Sequence, residues 1–144
     1  MIHYRNAVRR SGVDGRALVA TAERLLAAVG ERGSSLSVTL IGDDAMRGLN
    51  REHRGRDNTT DVLSFGAGVT AGPERLLGDV VISVDRARAQ AADYDAPLQR
   101  ELYRLLIHGL LHVLGHDHLA PEERRVMKRE ERRLANAIDL PWPY

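Results

Sequence analysis

Four of the six histidines in the chain fall within one stretch of eleven residues, His108-Gly-Leu-Leu-His112-Val-Leu-Gly115-His116-Asp117-His118. His108 and His112 are four positions apart in an apolar run that reads as helix. On an α-helix this spacing turns the side chains by about 40° and separates them by about 6 Å along the axis. Both imidazoles can therefore converge on one ion at Zn–N bonds of roughly 2.0–2.1 Å. A third ligand must come from another direction to complete a tetrahedron. Gly115 is suited to end the helix, because glycine tolerates positive φ, and the chain can then fold back so that His118 approaches from the side. His116 is the rival. On a continuing helix, however, residues 108, 112 and 116 would form a nearly straight row about 12 Å long, and collinear donors suit no tetrahedral ion. The spacing thus predicts one divalent metal ion, with zinc the first choice, on His108, His112 and His118. The fourth position is left to water, as in a catalytic site.

A histidine pair at i, i+4 is on its own more often two hydrogen-bonded side chains than a metal site. Here the pair lies on an otherwise apolar helix, where buried imidazoles need partners, and a third histidine follows a helix-ending glycine. A bound ion lowers the pKa of its water to about 7 and can neutralise charge on a carbonyl or phosphoryl oxygen. Zinc peptidases place Glu directly after the first histidine as general base, but this chain has Gly109 there. Asp117 is expected to orient an imidazole. His116 adds a titratable group beside the metal, a candidate proton donor or competing ligand. Cleavage of a phosphodiester also calls for a cation beside the metal, because the scissile group is already anionic. Arg54, opening the segment RGRDNTTDVLSF, is the candidate, since a guanidinium can hold two phosphate oxygens at once. The plainer reading of Arg54 is a solvated loop residue.

The surrounding elements follow from periodicity and punctuation. Residues 2–6 read as a short edge strand. Residues 14–29 read as a helix with an apolar stripe at Leu18, Ala22, Leu25, Leu26 and Val29, stopped by Gly30. Residues 36–41 alternate as a strand. Asp43 or Asp44 is expected to cap a helix running to about His53, followed by a loop over 54–60 and a strand over 61–65. A Gly/Pro stretch, 66–73, reads as a turn or loop, and 76–84 as another strand. Asp85 is expected to cap an Ala-rich helix to about Asp93. Pro97 sits at the first position of the metal-binding helix, which is apolar on nearly every face around Leu105–Leu114 and so belongs in the middle of a domain. Pro121 starts a last helix with Val126, Met127, Leu134 and Ile138 inward and a solvated Glu/Arg-rich outer face. Strands and helices do not alternate strictly, so the expected class is α+β: a small mixed sheet packed with helices around a central metal-binding helix.

Bulk properties set outer limits. At 144 residues, one domain spanning 1–144 is expected. With 43 % hydrophobic and 28 % charged residues the chain belongs among folded proteins. It contains no cysteine, which excludes disulfides and thiolate metal sites and leaves histidine and carboxylates as ligands. The formal net charge of +1 argues against a wholly basic nucleic-acid binder. Arg5, Arg9 and Arg10, and Arg51, Arg54 and Arg56, nevertheless form local basic clusters. The apolar run is too short to span a bilayer, and the first residues lack the apolar core of a signal peptide. A cytoplasmic protein without membrane association is expected.

HGLLHVLGHDH resembles the HGxLHxxGxDH signature of the YbeY family of bacterial rRNA-maturation endoribonucleases. LNREHRGRDNTTDVLSF is similar to that family's LN…R…TDVLSF segment, and LLGDVVIS to its LGD-containing strand; together the resemblance covers about residues 36–140. It implies a compact α+β fold with a metallopeptidase-like helix, zincin-like in arrangement, and a zinc site on His108, His112 and His118, with the family's functionally important arginine at Arg54. The implied activity is single-strand-specific, metal-dependent cleavage of RNA in 16S rRNA 3′-end maturation and ribosome quality control. Ribosomal RNA of the small subunit, ribosomal proteins and a ribosome-associated GTPase are the implied partners. His116 stands where the family usually has Tyr, His53 where an aromatic often precedes the arginine, and Thr59 and Gly66 replace typical prolines. Two other readings share the same metal helix: a metallopeptidase-like amide hydrolase, and a non-catalytic ribosome-assembly factor with a structural zinc.

Overall fold

The computed structural model describes residues 1–67 and 74–142. Its elements run β1 (Ile2–Asn6), α1 (Gly15–Ala28), β2 (Ser35–Ile41), α2 (Asp43–Arg54), β3 (Val62–Gly66), β4 (Leu76–Ser83), α3 (Val84–Asp93), α4 (Leu98–Val113) and α5 (Pro121–Ala137). Four strands form one mixed sheet in the order β1-β2-β4-β3; β1, β2 and β4 are parallel and β3 runs antiparallel to β4. This is the expected α+β class. Most of the expected 66–73 turn lies outside the described residues, and Gly66 is the last residue of β3.

Alternation along the strands decides which side chains face which layer. Val38 and Leu40 of β2 and Val80 and Ile82 of β4 point into the main core, where they meet Leu18, Leu25 and Leu26 of α1 and the apolar faces of α4. Val81 and Leu63 point the other way, onto Met46 of α2, in a smaller cluster. The sheet is therefore covered on one face by α1 and α4 and more thinly on the other by α2. No described helix is long and apolar enough to cross a membrane.

α4 is the central element. Leu102, Leu105, Leu106, Ile107 and Leu110 are all buried, and the helix touches β3, β4, α1, α3 and α5. It lies close against the sheet at Gly109. A Cβ at that position would lie 2.6 Å from Cγ1 of buried Val80 and 3.1 Å from Ser64 Oγ. Ser64 Oγ also donates to the Gly109 carbonyl at 3.0 Å, tying β3 to the helix. The missing peptidase Glu thus has a steric cause: position 109 faces the sheet, not the cleft.

Several helix ends differ from their expected chemistry. The N-cap of α2 is Gly42, not Asp43 or Asp44. Asp43 instead accepts from the hydroxyls of Ser83 and Thr59, and its own N–H donates to Asp85 at 2.7 Å. Asp85 thereby serves the first turn of α2, while Ser83 caps α3 by accepting from the Arg86 N–H. Pro97 is the N-cap of α4 and not its first helical residue. The exchange at Asp85 depends on which side chains meet in space, which local sequence does not encode. Arg54 closes α2 and does not open the following loop, because Gly55, at φ 68°, supplies the left-handed stop one residue later.

Gly109→Ala should lower unfolding stability by about 1–3 kcal/mol through overpacking against Val80, despite the gain of up to ~1 kcal/mol that Ala brings to a helix. Gly48→Ala on α2, where an added Cβ meets nothing within 4 Å, should stabilise by about 0.5–1 kcal/mol. Urea unfolding of both variants tests the contact: equal midpoint shifts of the same sign would remove it.

Candidate metal centre

α4 ends in a complete Schellman turn. Gly115 takes φ +98°, its N–H donates to the His112 carbonyl at 3.0 Å, and the His116 N–H donates to the Leu111 carbonyl at 2.9 Å. The chain reverses there and carries residue 118 back over the helix end. As a result His108, His112 and His118 each present a nitrogen within 4.8 Å of the other two. Nε2 of His112 and Nε2 of His108 are 3.1 Å apart, and the His118 ring centroid lies 5.1 Å from that of His112 and 5.7 Å from that of His108.

These residues fit a metal ion. Two nitrogens bound tetrahedrally at roughly 2.0–2.1 Å would stand about 3.3 Å apart, close to the observed pair. Burial holds the His112 pKa below its ordinary value, and nearby His108 and His118 push it the same way against the Asp117 carboxylate. That favours the neutral imidazole a metal requires.

The three histidines form one wall of a cleft of about 480 Å³ that Arg54, Asp61, Ser64, Asp117 and Leu119 also line. Arg54 therefore reaches the same cavity from α2 although it is 54 residues away from His108 in sequence. Of the three arginines on α2, Arg47 and Arg51 both pair with Asp57, at 2.9 and 3.7 Å. Arg54 has no ion pair among the described residues. Asp117 lines the cleft, but its Oδ1 accepts the backbone N–H of His118 at 2.7 Å, so it fixes the turn and not an imidazole ring. His116 does not line the cleft. It faces a neighbouring depression with Gly115, Glu122 and Glu123.

Two further groups had no assigned role in the sequence. Glu131, on the face of α5 expected to be solvated, points inward instead, with Oε2 3.5 Å from His108 Nδ1. A carboxylate there favours the tautomer that leaves Nε2 free for a metal. Asp61 accepts from the Val62 N–H at 2.8 Å on Oδ1 and from Gln90 Nε2 at 3.2 Å on Oδ2. Gln90 accepts in turn from Arg104 at 3.1 Å, and Arg104 pairs with buried Glu101. A chain of side chains thus runs from the core to a carboxylate in the cleft wall. Asp61 stands in the quoted TDVLSF block and carried a signal; Glu131 sits in a Glu/Arg run with none.

Comparison with known proteins agrees with this geometry. The family model for "Endoribonuclease YbeY" matches residues 4–139. The curated "Endoribonuclease YbeY" of an Anaeromyxobacter species is 48 % identical over 87 % of this chain, which spans 65 % of that relative's length. The one of Lysinibacillus sphaericus is 42 % identical over 76 % of each chain. The solution structure of a Thermotoga maritima protein superposes with a TM-score of 0.60 at 24 % identity, covering 99 % of this chain and 98 % of that one.

Glu131→Gln should leave the fold intact and weaken zinc binding by about 10–100-fold in chelator competition; undiminished affinity would mean the Glu131–His108 contact has no influence on the site. The lowered His112 pKa also has a consequence for the metal-free protein. The cost of charging this residue in the fold is absent above its unfolded pKa of about 6.5 and grows as pH falls below it, levelling off below the folded pKa. The thermal midpoint of metal-free protein should therefore drop as pH falls below about 6.5, and His112→Asn should reduce that drop. An equal drop in the variant would place its origin elsewhere.

Proposed function

The chain belongs to the YbeY endoribonuclease family, and from that premise we propose that it is a metal-dependent, single-strand-specific endoribonuclease acting in the cytoplasm. Its substrate is ribosomal RNA of the small subunit. Its tasks are 16S rRNA 3′-end maturation and ribosome quality control, in contact with ribosomal proteins and a ribosome-associated GTPase. The observation that carries the reading is the shared cleft: three convergent imidazoles and an uncommitted arginine face the same space.

His108, His112 and His118 hold the divalent ion, which is zinc in this reading. When bound, the ion supplies charge neutralisation at a phosphoryl oxygen and acidifies a nearby nucleophile. Arg54 grips the non-bridging phosphate oxygens and offsets the extra negative charge as the phosphorus gains a fifth substituent. Glu131 keeps the His108 ring in register. Asp61, held by donors on both oxygens, faces the cleft as a fixed acceptor for a water or ribose hydroxyl. The cleft lies beside the edge strand β3. The packing of Gly109 against Val80 disfavours the amide-hydrolase alternative, since it leaves no room for the peptidase Glu. The orientation of His116 away from the cleft favours an open fourth position over a closed structural zinc.

Zinc-loaded protein should cleave an unstructured RNA and spare the same sequence in duplex. Arg54→Ala should lower kcat by about 10²–10³ with metal content unchanged, whereas His112→Ala should lose metal and activity together. Cleavage that survives both substitutions belongs to a contaminant and overturns the reading.

A further inference from the structure

Five cations, Arg124, Arg125, Lys128, Arg129 and Arg132, fall within nine consecutive positions of α5, and all five are exposed. At 100° per residue they occupy a single stripe roughly 140° wide. They line two adjoining surface depressions of about 350 and 390 Å³, which share Arg125 and Lys128, and no carboxylate lines either one. On the other flank of the helix, charge is neutralised locally, as where Arg133 pairs with Glu130 at 2.8 Å. Arg125 pairs with Glu122, but Arg124, Lys128 and Arg132 have no ion pair among the described residues. In a chain of net charge +1, such a stripe is a local concentration of charge and not a share of a general excess.

Its position ties it to the cleft. Leu119 lines the cleft and α5 begins two residues later at Pro121, so Arg124 lies in the first turn beyond the rim. From Arg124 to Arg132 the stripe extends about 12 Å along the helix. Glu131, about 60° around from Lys128, touches His108. The stripe therefore follows the same helix that braces the metal site.

We propose that the Arg124–Lys128–Arg132 stripe of α5 is a track for the phosphate backbone of the RNA strand that flanks the stretch held in the cleft. The proposal rests on the ribonuclease reading and extends it. A row of uncommitted cations complements a regularly charged polyanion. No aromatic side chain interrupts the stripe, so bases have nothing to stack on and the contact is independent of sequence. Long substrates engage both cleft and track; a short oligonucleotide engages the cleft alone.

The test compares zinc-loaded wild type with the triple variant Arg124→Gln/Lys128→Gln/Arg132→Gln. A charge-matched control, Arg16→Gln/Arg32→Gln/Arg100→Gln, alters exposed arginines elsewhere, and circular dichroism verifies that both are folded. Binding of a fluorescent 24-nucleotide 2′-O-methyl RNA is followed against salt, and kcat/KM is measured on a 24-mer and a hexamer. Loss of three phosphate contacts should reduce the log–log salt slope by about 2 and lower kcat/KM on the 24-mer by about an order of magnitude, with the hexamer unaffected. An unchanged slope, an equal loss in the control, or an equal loss on the hexamer overturns the track. So does a variant that keeps its RNA slope but loses binding to an acidic protein. Wild type that neither binds nor cleaves RNA fails differently, since it removes the ribonuclease reading itself.

Discussion

The contact between α4 and the sheet at Gly109 constrains everything around the site. With no side chain at this position the helix backbone lies against Val80, and the Ser64 hydroxyl reaches the Gly109 carbonyl. That depth of packing buries the leucines of α4 and leaves His108 and His112 at the margin of the core, where a cleft opens beside β3. It also fixes what the helix cannot provide. A side chain that needs position 109 for proton transfer has no space, so acid–base groups must come from other elements. The carboxylates that line the cleft, Asp61 and Asp117, stand before β3 and after the end of α4. Close packing of one helix thus sets the distribution of chemistry across the fold.

What could be read from sequence was what is local and periodic. The apolar stripe of α1, the β-branched strands and the unbroken apolarity of α4 all reflect burial in a fixed repeat, and each element lies where its pattern puts it. That the imidazoles at 108, 112 and 118 meet was also readable, because helical pitch and one glycine fully determine the turn between them. The misplaced caps share an opposite origin. Asp85 serves α2 because the ends of β2 and β4 lie side by side in the sheet, a relation between residues about forty positions apart, which leaves the local cap of α3 to Ser83. Glu131 was hidden for the same reason. In a run of alternating acids and arginines, only the packing of α5 on α4 distinguishes the one carboxylate that turns inward.

Buried charge in this fold is organised toward the cleft. Glu101 is 1 % exposed and stands in the first turn of α4 next to buried Leu102. An unpaired carboxylate there would be strongly destabilising, and pairing with Arg104 one turn away removes most of that cost. The pair does more than neutralise itself. Arg104 orients Gln90, and Gln90 orients Asp61, so a carboxylate at the cleft wall is fixed by a group in the core. Hydrogen-bonded side-chain chains of this kind specify one geometry because each member loses its partner if any other rotates.

The same charge arrangement separates two modes of holding an anionic polymer. Within the cleft, two carboxylates, Asp61 and Asp117, stand against one guanidinium, Arg54, and a divalent ion held by the histidines would offset them toward a phosphate. On α5 only Arg125 of the stripe has a carboxylate partner, Glu122, among the described residues, and no carboxylate lines the two depressions, so the stripe attracts a phosphate backbone with or without the ion. Attraction between separated charges is screened by salt over about 8–10 Å, so the stripe acts on strands already near the surface and delivers them toward the rim at Leu119. The cleft would engage a phosphate once an ion held by His108, His112 and His118 offset its carboxylates. Capture outside and engagement inside would thus respond to different variables, the first to ionic strength and the second to metal occupancy. That division follows from the carboxylates that stand in the cleft wall and their absence from the two depressions along the Arg124–Lys128–Arg132 stripe.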